Sequence, residues 1–271
     1  MSKNRRAALE NVDNWDSHWG DFGVAITASP AQAMRHSLAI RLFAAEDLST
    51  ASNVVDFGSG HGDFLSKFHQ RFPAMNLLGL ELSETGVEIS RHKLPSAHFV
   101  VADLLTPPPA LEQYKEWADG ASCLEVLEHV DDPVLFLKVA KNYLKNAATL
   151  VVTVPGGRMS ALDRFIGHRR HFDKEAIRSV LQEAGFEVTK VMLAGFPFFN
   201  LYRLMIIGRG DKLATDLKKR QRSWLVKALL TSIGKVAEVL FHFDLADSRF
   251  GWQVVAVARN VRAPASVGAE R

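Results

Sequence analysis

The chain has 271 residues, of which 47% are hydrophobic and 23% are charged, and these values are ordinary for one large globular domain or two small ones. Its formal net charge of +3 is too small to indicate nucleic-acid binding by itself, and its single cysteine, Cys123, excludes an internal disulfide framework. One cysteine suits a reducing compartment and no apolar run reaches the roughly 18 residues that a membrane span needs. We therefore expect a cytoplasmic protein.

Residues 1–50 predict a helical arm that precedes the main body of the chain. Pro30 follows a serine, which is a typical helix start, and apolar residues such as Leu38 continue from it at helical spacing. Upstream of this helix lie two tryptophans, Trp15 and Trp19. We expect them either to cover a ligand as part of a lid or to anchor the arm to the core.

A strand at about 53–58 runs into a glycine turn and then into a helix. Three glycines alternate in this turn, Gly58, Gly60 and Gly62. Glycine allows positive φ and close approach of a ligand, and the following helix offers unpaired N–H groups. Asp63 stands where a dinucleotide fingerprint requires its third glycine, which argues against a dinucleotide. Asp56, just before the turn, suits a cationic or hydroxyl-bearing ligand.

Strands and helices alternate along the chain, which predicts a doubly wound, mostly parallel sheet of seven strands. Acidic residues stand at the ends of four successive strands, at Asp56, Glu81, Asp103 and Glu125. Because the carboxyl ends of parallel strands share one edge, we expect these acids to surround one site. The predicted strands lie at about 53–58, 76–82, 97–102, 120–126, 148–154, 186–194 and 251–258.

Several of these segments together resemble class I S-adenosylmethionine-dependent methyltransferases. The segments that carry the resemblance are 56–62, Glu81, 102–104, 123–130 and 168–175. The resemblance covers roughly residues 50–195 and the final strand, and it implies a Rossmann-like fold. We accordingly expect an arm or lid at 1–50, a cofactor-binding core at 51–195, a helical cap at 196–249, the last core strand at 250–260 and a disordered tail at 261–271.

The resemblance also implies which residues hold the cofactor, S-adenosylmethionine. Asp56 and the glycine turn would contact its amino-acid portion, Glu81 would accept both ribose hydroxyls, and Asp103 would accept the adenine amino proton. The main chain at the end of the fourth strand would close the methionine end. The full set of expected cofactor residues is Asp56, Gly58, Ser59, Gly60, Glu81, Leu82, Asp103, Leu104, Leu124 and Glu125.

Three histidines are candidates for a catalytic base, because histidine titrates near neutral pH and all three fall in loops at the expected catalytic edge: His129, His168 and His171. Glu125, Glu128 and His129 also form an E-x-x-E-H pattern, whose ligands suit Mg²⁺ or Mn²⁺. This pattern resembles small-RNA 3′-terminal 2′-O-methyltransferases and ubiquinone-pathway O-methyltransferases, with His168 as the later ligand. Because metal-free relatives carry the same pattern, we expect no metal.

We therefore expect a methyltransferase that acts on a small molecule, by O-methylation of an aromatic or lipid-like acceptor. The acceptor would meet an apolar wall in the insertion 196–249, close to Phe198, Phe199, Tyr202 and Arg203. A basic run at 218–222 leaves open a peripheral contact of this insertion with a membrane. The alternatives are an RNA methyltransferase, a metal-dependent O-methyltransferase and a pseudoenzyme that only binds the cofactor; no nucleic-acid partner is expected.

Overall fold

The computed structural model describes residues 29–46, 52–218 and 234–262, without the side chains of 209–218. Trp15, Trp19, the tail from residue 263 onward and the side chains of the basic run at 218–222 lie outside the described residues. Within the described ranges, no helix combines the length and the apolar character needed to cross a membrane.

The described chain forms a seven-stranded mixed sheet in the order β3-β2-β1-β4-β5-β7-β6, in which only β7 runs antiparallel to its neighbours. The predicted Rossmann-like fold class is confirmed. The strands are β1 (Asn53–Phe57), β2 (Asn76–Glu81), β3 (His98–Val101), β4 (Ala118–Leu124), β5 (Leu144–Pro155), β6 (Phe186–Ala194) and β7 (Gln253–Asn260).

Helices connect the strands and cover both faces of the sheet. Several begin at a residue whose side chain caps them: Asp173, for example, accepts a hydrogen bond from the N–H of Ala176. The helices are α1 (Pro30–Ala44), α2 (Asp63–Arg71), α3 (Glu84–Lys93), α4 (Pro133–Ala140), α5 (Ala161–Phe165), α6 (Lys174–Glu183), α7 (Phe198–Lys218) and α8 (234–241).

Two hydrophobic layers hold the sheet. On one face, α4 and α6 pack against strand residues such as Leu80 and Leu150. On the other, α1 contributes Phe43, which meets Phe68 of α2 with ring centroids 5.2 Å apart. Helix α1 is therefore part of the core and is fixed over the sheet.

Two predicted boundaries differ from the structure. Strand β4 ends at Leu124 and not at 126, because Glu125 takes a left-handed φ of 57° that turns the chain out of the sheet. Strand β5 starts at Leu144 and not at 148, since α4 ends at Ala140 and one 3₁₀ turn leads directly into the strand.

The insertion before the last strand contains α7 and α8. Phe199 of α7 and Phe241 of α8 are buried against each other and against Ala31 of α1. The opposite side of α7 exposes Leu201 and Leu204. The insertion thus packs on the start of α1, while keeping an apolar face in solvent.

Candidate cofactor and acceptor site

The glycine turn adopts the backbone that its sequence predicts. Gly58, Gly60 and Gly62 have φ values of 76°, 54° and 68°. A side chain at Gly58 would lie 2.5 Å from Cγ2 of Val126, so the position also lacks space for any other residue. The hydroxyl of Ser90 donates to the carbonyl of Gly60 at 3.0 Å and holds the turn from α3.

Glu81 closes the other side of this turn. One of its carboxylate oxygens accepts from the N–H of Gly60 at 2.8 Å, and the other accepts from the N–H of Ser83 at 3.0 Å. Each carboxylate oxygen can accept more than one hydrogen bond. Glu81 is therefore held in place by the backbone and can still accept from a vicinal diol.

Asp56 is buried under the turn at the end of β1. The hydroxyl of Ser122 on β4 donates to its carboxylate at 2.7 Å. Burial raises the pKa of Asp56 to about 7, with Glu81 raising it further and the Ser122 hydrogen bond opposing the shift. A cation bound nearby would therefore draw this carboxyl into its charged form.

The edge next to β3 offers exposed apolar side chains on both sides of Asp103. Leu82 and Leu105 are 51% and 42% exposed, whereas Leu104 is buried in the core at 4%. Asp103 itself accepts from the N–H of Leu105 and the hydroxyl of Thr106. In the turn that follows β3, Leu105 and not the expected Leu104 is therefore available to pack on a planar ligand.

Glu125 follows Leu124 at the end of β4, and its side chain joins β5, β7 and α1. Its carboxylate accepts from Thr153 at 3.0 Å and Gln253 at 2.8 Å, and it pairs with the Arg35 guanidinium at 3.1 Å. Arg35 also donates to Gln253 at 2.8 Å. Arg35 and Gln253 were not singled out by the sequence analysis, since neither belongs to a local motif.

The three candidate histidines lie together beyond the end of β4. The rings of His129 and His168 have centroids 4.8 Å apart, and Nδ1 of His168 lies 3.2 Å from Nε2 of His171. Nδ1 of His171 lies 3.1 Å from the carbonyl oxygen of Gly157. Burial lowers the pKa of His171 and, with the neighbouring His129, lowers that of His168 to about 2, so His168 is neutral.

Two acidic residues border this histidine cluster, and their surroundings shift their pKa values in opposite directions. Glu128 is fully buried, and burial, followed by the nearby Glu125, raises its pKa. Both oxygens of Asp163 accept from Arg203 at 2.9 Å. Burial by itself would raise the pKa of Asp163, but Arg203 and the N-cap residue Ser160 outweigh it and hold the pKa below its usual range. Arg203, expected near the acceptor, thus reaches this cluster through Asp163.

The comparisons with known proteins agree with the geometry. A family model described as a methyltransferase domain matches residues 31–191. Trans-aconitate 2-methyltransferase of Delftia acidovorans is 30% identical over 129 residues, 46% of each chain, and that of Paracidovorax citrulli is 38% identical over 68 residues, 25% of this chain and 26% of the relative. The chain thus matches less than half the length of these curated relatives.

Two solved structures share the fold. One comes from the complex of the Haloferax volcanii Trm112 methyltransferase activator with a methyltransferase, with a TM-score of 0.61, 16% identity and coverage of 92% of this chain and 99% of that one. The other is phosphoethanolamine N-methyltransferase 2 of Haemonchus contortus in complex with S-adenosyl-L-methionine. It has a TM-score of 0.54 and 15% identity, and the match covers 83% of this chain and 52% of that one. Since the family model spans more than half of the chain, the chain belongs to the methyltransferase-domain family, and its fold is that of the class I S-adenosylmethionine-dependent methyltransferases.

Proposed function

We propose that this methyltransferase transfers its methyl group to an oxygen of a small aromatic or lipid-like acceptor. The observation that carries the proposal is the half-buried cluster of His129, His168 and His171 just beyond the end of β4. The end of β4 is also where the family resemblance places the methionine end of the cofactor. A proton-accepting cluster beside the methyl group is what an oxygen nucleophile requires.

The cofactor would lie along the edge formed by β1, β2 and β3. The glycine turn would receive its amino-acid portion, with Asp56 as the partner of the ammonium group. Glu81 would accept the two ribose hydroxyls while its present backbone contacts keep it oriented. Leu82 and Leu105 would pack on the adenine, Asp103 would accept from its amino group, and the main chain at Leu124 and Glu125 would close the methionine end.

The acceptor would lie between the histidine cluster, α1 and the insertion. Arg35 links these parts, because it pairs with Glu125 and its guanidinium carbon lies 6.0 Å from the centroid of the Phe199 ring. Methyl transfer from a sulfonium is an in-line displacement, so the protein's main task is to align the acceptor oxygen with the methyl group and exclude water. The aromatic side chains of α7 supply an apolar boundary for this purpose.

A phenolic or enolic hydroxyl fits the electrostatics of the cluster best. His168 is neutral, so its free ring nitrogen can accept a hydrogen bond from a hydroxyl group, and a phenol or an enol needs such a partner because its reacting oxygen still carries a proton. The names of the curated relatives suggest a carboxylate acceptor instead. Against that, Arg35 and Arg203, which contact the carboxylates of this site, are already paired with Glu125 and Asp163.

The proposal is tested by incubating the protein with S-adenosylmethionine and matched sets of phenols, carboxylic acids and amines, and measuring S-adenosylhomocysteine release. We expect turnover with phenols. The His168→Asn variant should bind S-adenosylhomocysteine with unchanged affinity and lose most of this turnover. Turnover restricted to amines or carboxylates would contradict the proposed acceptor class.

A further inference from the structure

We propose that Glu128, His129 and His168 bind a divalent transition-metal ion. One oxygen of Glu128 and one ring nitrogen of each histidine lie within 4.8 Å of one another. Nε2 of His129 is 4.0 Å from Oε1 of Glu128. Ligands at the usual zinc–nitrogen distance stand about 3.4 Å apart in a tetrahedral site. The three groups therefore need only a modest side-chain movement to share one ion.

Glu128 supplies an independent reason to expect a ligand here. Its side chain is fully buried, and within the described residues neither carboxylate oxygen has a hydrogen-bond partner. Buried polar groups are nearly always hydrogen-bonded, so each exception calls for an explanation. A bound cation would satisfy both oxygens with one group, and the two histidines lie where that cation would find its other ligands.

His168 is oriented as metal-binding histidines usually are. Nδ1 of His171 faces the carbonyl oxygen of Gly157, which can only accept a hydrogen bond. Nδ1 of His171 therefore carries the proton, and Nε2 of the neutral ring is an acceptor. Nδ1 of His168 then donates to it, which leaves the lone pair of His168 on Nε2. A ligating histidine typically has its second nitrogen held in this way by an outer partner. His171 is thus a positioning residue for His168.

The neighbouring groups are less suitable as ligands. Asp163 also lies near His168 and His171, but its two oxygens already accept from Arg203, and one of them accepts from the N–H of Ser160 as well. Glu125, the first residue of the E-x-x-E-H pattern, is bound by Thr153, Gln253 and Arg35. The geometry therefore selects a different ligand set from the one that the pattern suggests.

The donor set indicates the class of ion. Two imidazoles and one carboxylate suit Mn²⁺, Fe²⁺ or Zn²⁺, whereas Ca²⁺ and Mg²⁺ prefer ligands made entirely of oxygen. Three protein ligands leave room for an exogenous oxygen, as in catalytic metal sites. The ion would act as a Lewis acid that lowers the pKa of the acceptor hydroxyl, and it would take over the role of proton acceptor from His168, whose one lone pair it would occupy. This role rests on the proposed function, while binding of the ion does not. The proposal departs from the metal-free enzyme that the sequence led us to expect.

The experiment measures metal binding directly. Untagged protein is stripped with a chelator and dialysed, then titrated with Mn²⁺ while the signal of the free ion is followed by electron paramagnetic resonance. We expect one ion per chain for the wild type and at least a tenfold weaker affinity for Glu128→Gln and His129→Gln. Glu88→Gln is the matched control, since it makes the same chemical change on the exposed side of α3, and it should bind within about twofold of the wild type.

Each outcome decides the proposal. No stoichiometric uptake by the wild type, or equal affinity in Glu128→Gln, would overturn it. Should the variants fail to fold, Mn²⁺ should still broaden the ring NMR signals of His129 and His168 in the wild type, and unbroadened signals would overturn it as well. S-adenosylhomocysteine affinity and methyl transfer, measured on the same samples, separate the two proposals: a protein that methylates phenols without binding metal refutes only this inference.

Discussion

The backbone N–H of Gly60 donates a 2.8 Å hydrogen bond to the carboxylate of Glu81, so the glycine turn after β1 and the end of β2 form one unit. Ser90 adds a second link by donating to the carbonyl of the same glycine. Both contacts are made by the protein's own groups. The turn is therefore pre-organised, and little conformational entropy remains to be lost when the cofactor binds.

This arrangement makes Glu81 the most informative single substitution for cofactor binding. In Glu81→Ala, two charge-assisted hydrogen bonds to the ribose are lost, each worth roughly 1.5–3 kcal/mol, and the turn loses its brace. We expect S-adenosylhomocysteine to bind more than tenfold more weakly by calorimetry. Glu88→Ala, an equal change of charge on the exposed side of α3, should have no effect. Unchanged affinity in Glu81→Ala would refute the ribose assignment.

Asp56 predicts a pH dependence of cofactor affinity. Its pKa of about 7 means that the carboxyl is mostly protonated at pH 6 and mostly charged at pH 8. The cofactor's ammonium group favours the charged form, so affinity should rise about tenfold between these pH values. Calorimetry in buffers of different ionisation enthalpy should detect proton release near pH 6. In Asp56→Asn the rise should disappear, and a slope equal to that of the wild type would contradict the prediction.

The same carboxyl predicts the opposite trend for the stability of the ligand-free protein. A raised pKa means that the folded state keeps a proton that the unfolded chain releases above its ordinary pKa near 4. The free energy of unfolding attributable to Asp56 should therefore fall as pH rises from about 4 to about 7, and then level off. Urea denaturation of the wild type and Asp56→Asn, compared at pH 5 and pH 8, measures this. A wild type that gains stability relative to the variant over this range would contradict it.

The part of the site that the sequence predicted is the part encoded locally. Gly58, Gly60 and Glu81 lie at strand ends, where residue type and spacing define the turn and its acidic partner. The acceptor side depends on contacts between distant segments. Arg35 and Gln253 bond to each other across 218 positions, and no local pattern reveals such a pair.

The E-x-x-E-H pattern illustrates the same limit. Its spacing suggested that Glu125 and Glu128 would act together, but Glu125 adopts positive φ and bonds to residues of β5 and β7. Leu104 differs for a simpler reason. It lies in the turn after β3 ends at Val101, where strand alternation no longer applies, so the sequence alone does not tell which of Leu104 and Leu105 faces the core.

Arg203 and Asp163 predict a large cost when one partner is removed. The pair is buried and joins α7 to α5, and Arg203→Met would leave the Asp163 carboxylate without its cation. Breaking a buried pair in this way typically costs about 3–5 kcal/mol. Urea denaturation should show that the free energy of unfolding falls by about this amount. Arg164 is an exposed arginine of α5, and Arg164→Met should change the free energy of unfolding by less than about 0.5 kcal/mol. Adding Asp163→Asn to Arg203→Met should restore part of the loss, and a double variant less stable than Arg203→Met would contradict the pairing.

Phe199 tests whether the insertion covers the acceptor. Its ring is buried between α1 and α8, and it lies beside Arg35. Phe199→Ala should leave a cavity that lowers the free energy of unfolding by about 3–5 kcal/mol. The substitution should also loosen the packing of α7 and α8 on α1. If the insertion caps the acceptor pocket, the KM for the acceptor should rise several-fold, with S-adenosylhomocysteine affinity unchanged. Leu204→Ala, on the exposed side of the same helix, is the matched control and should alter neither value. A Phe199→Ala protein whose α7 amides exchange faster with solvent but whose acceptor KM equals that of the wild type would show that the insertion packs on the arm without shaping the pocket.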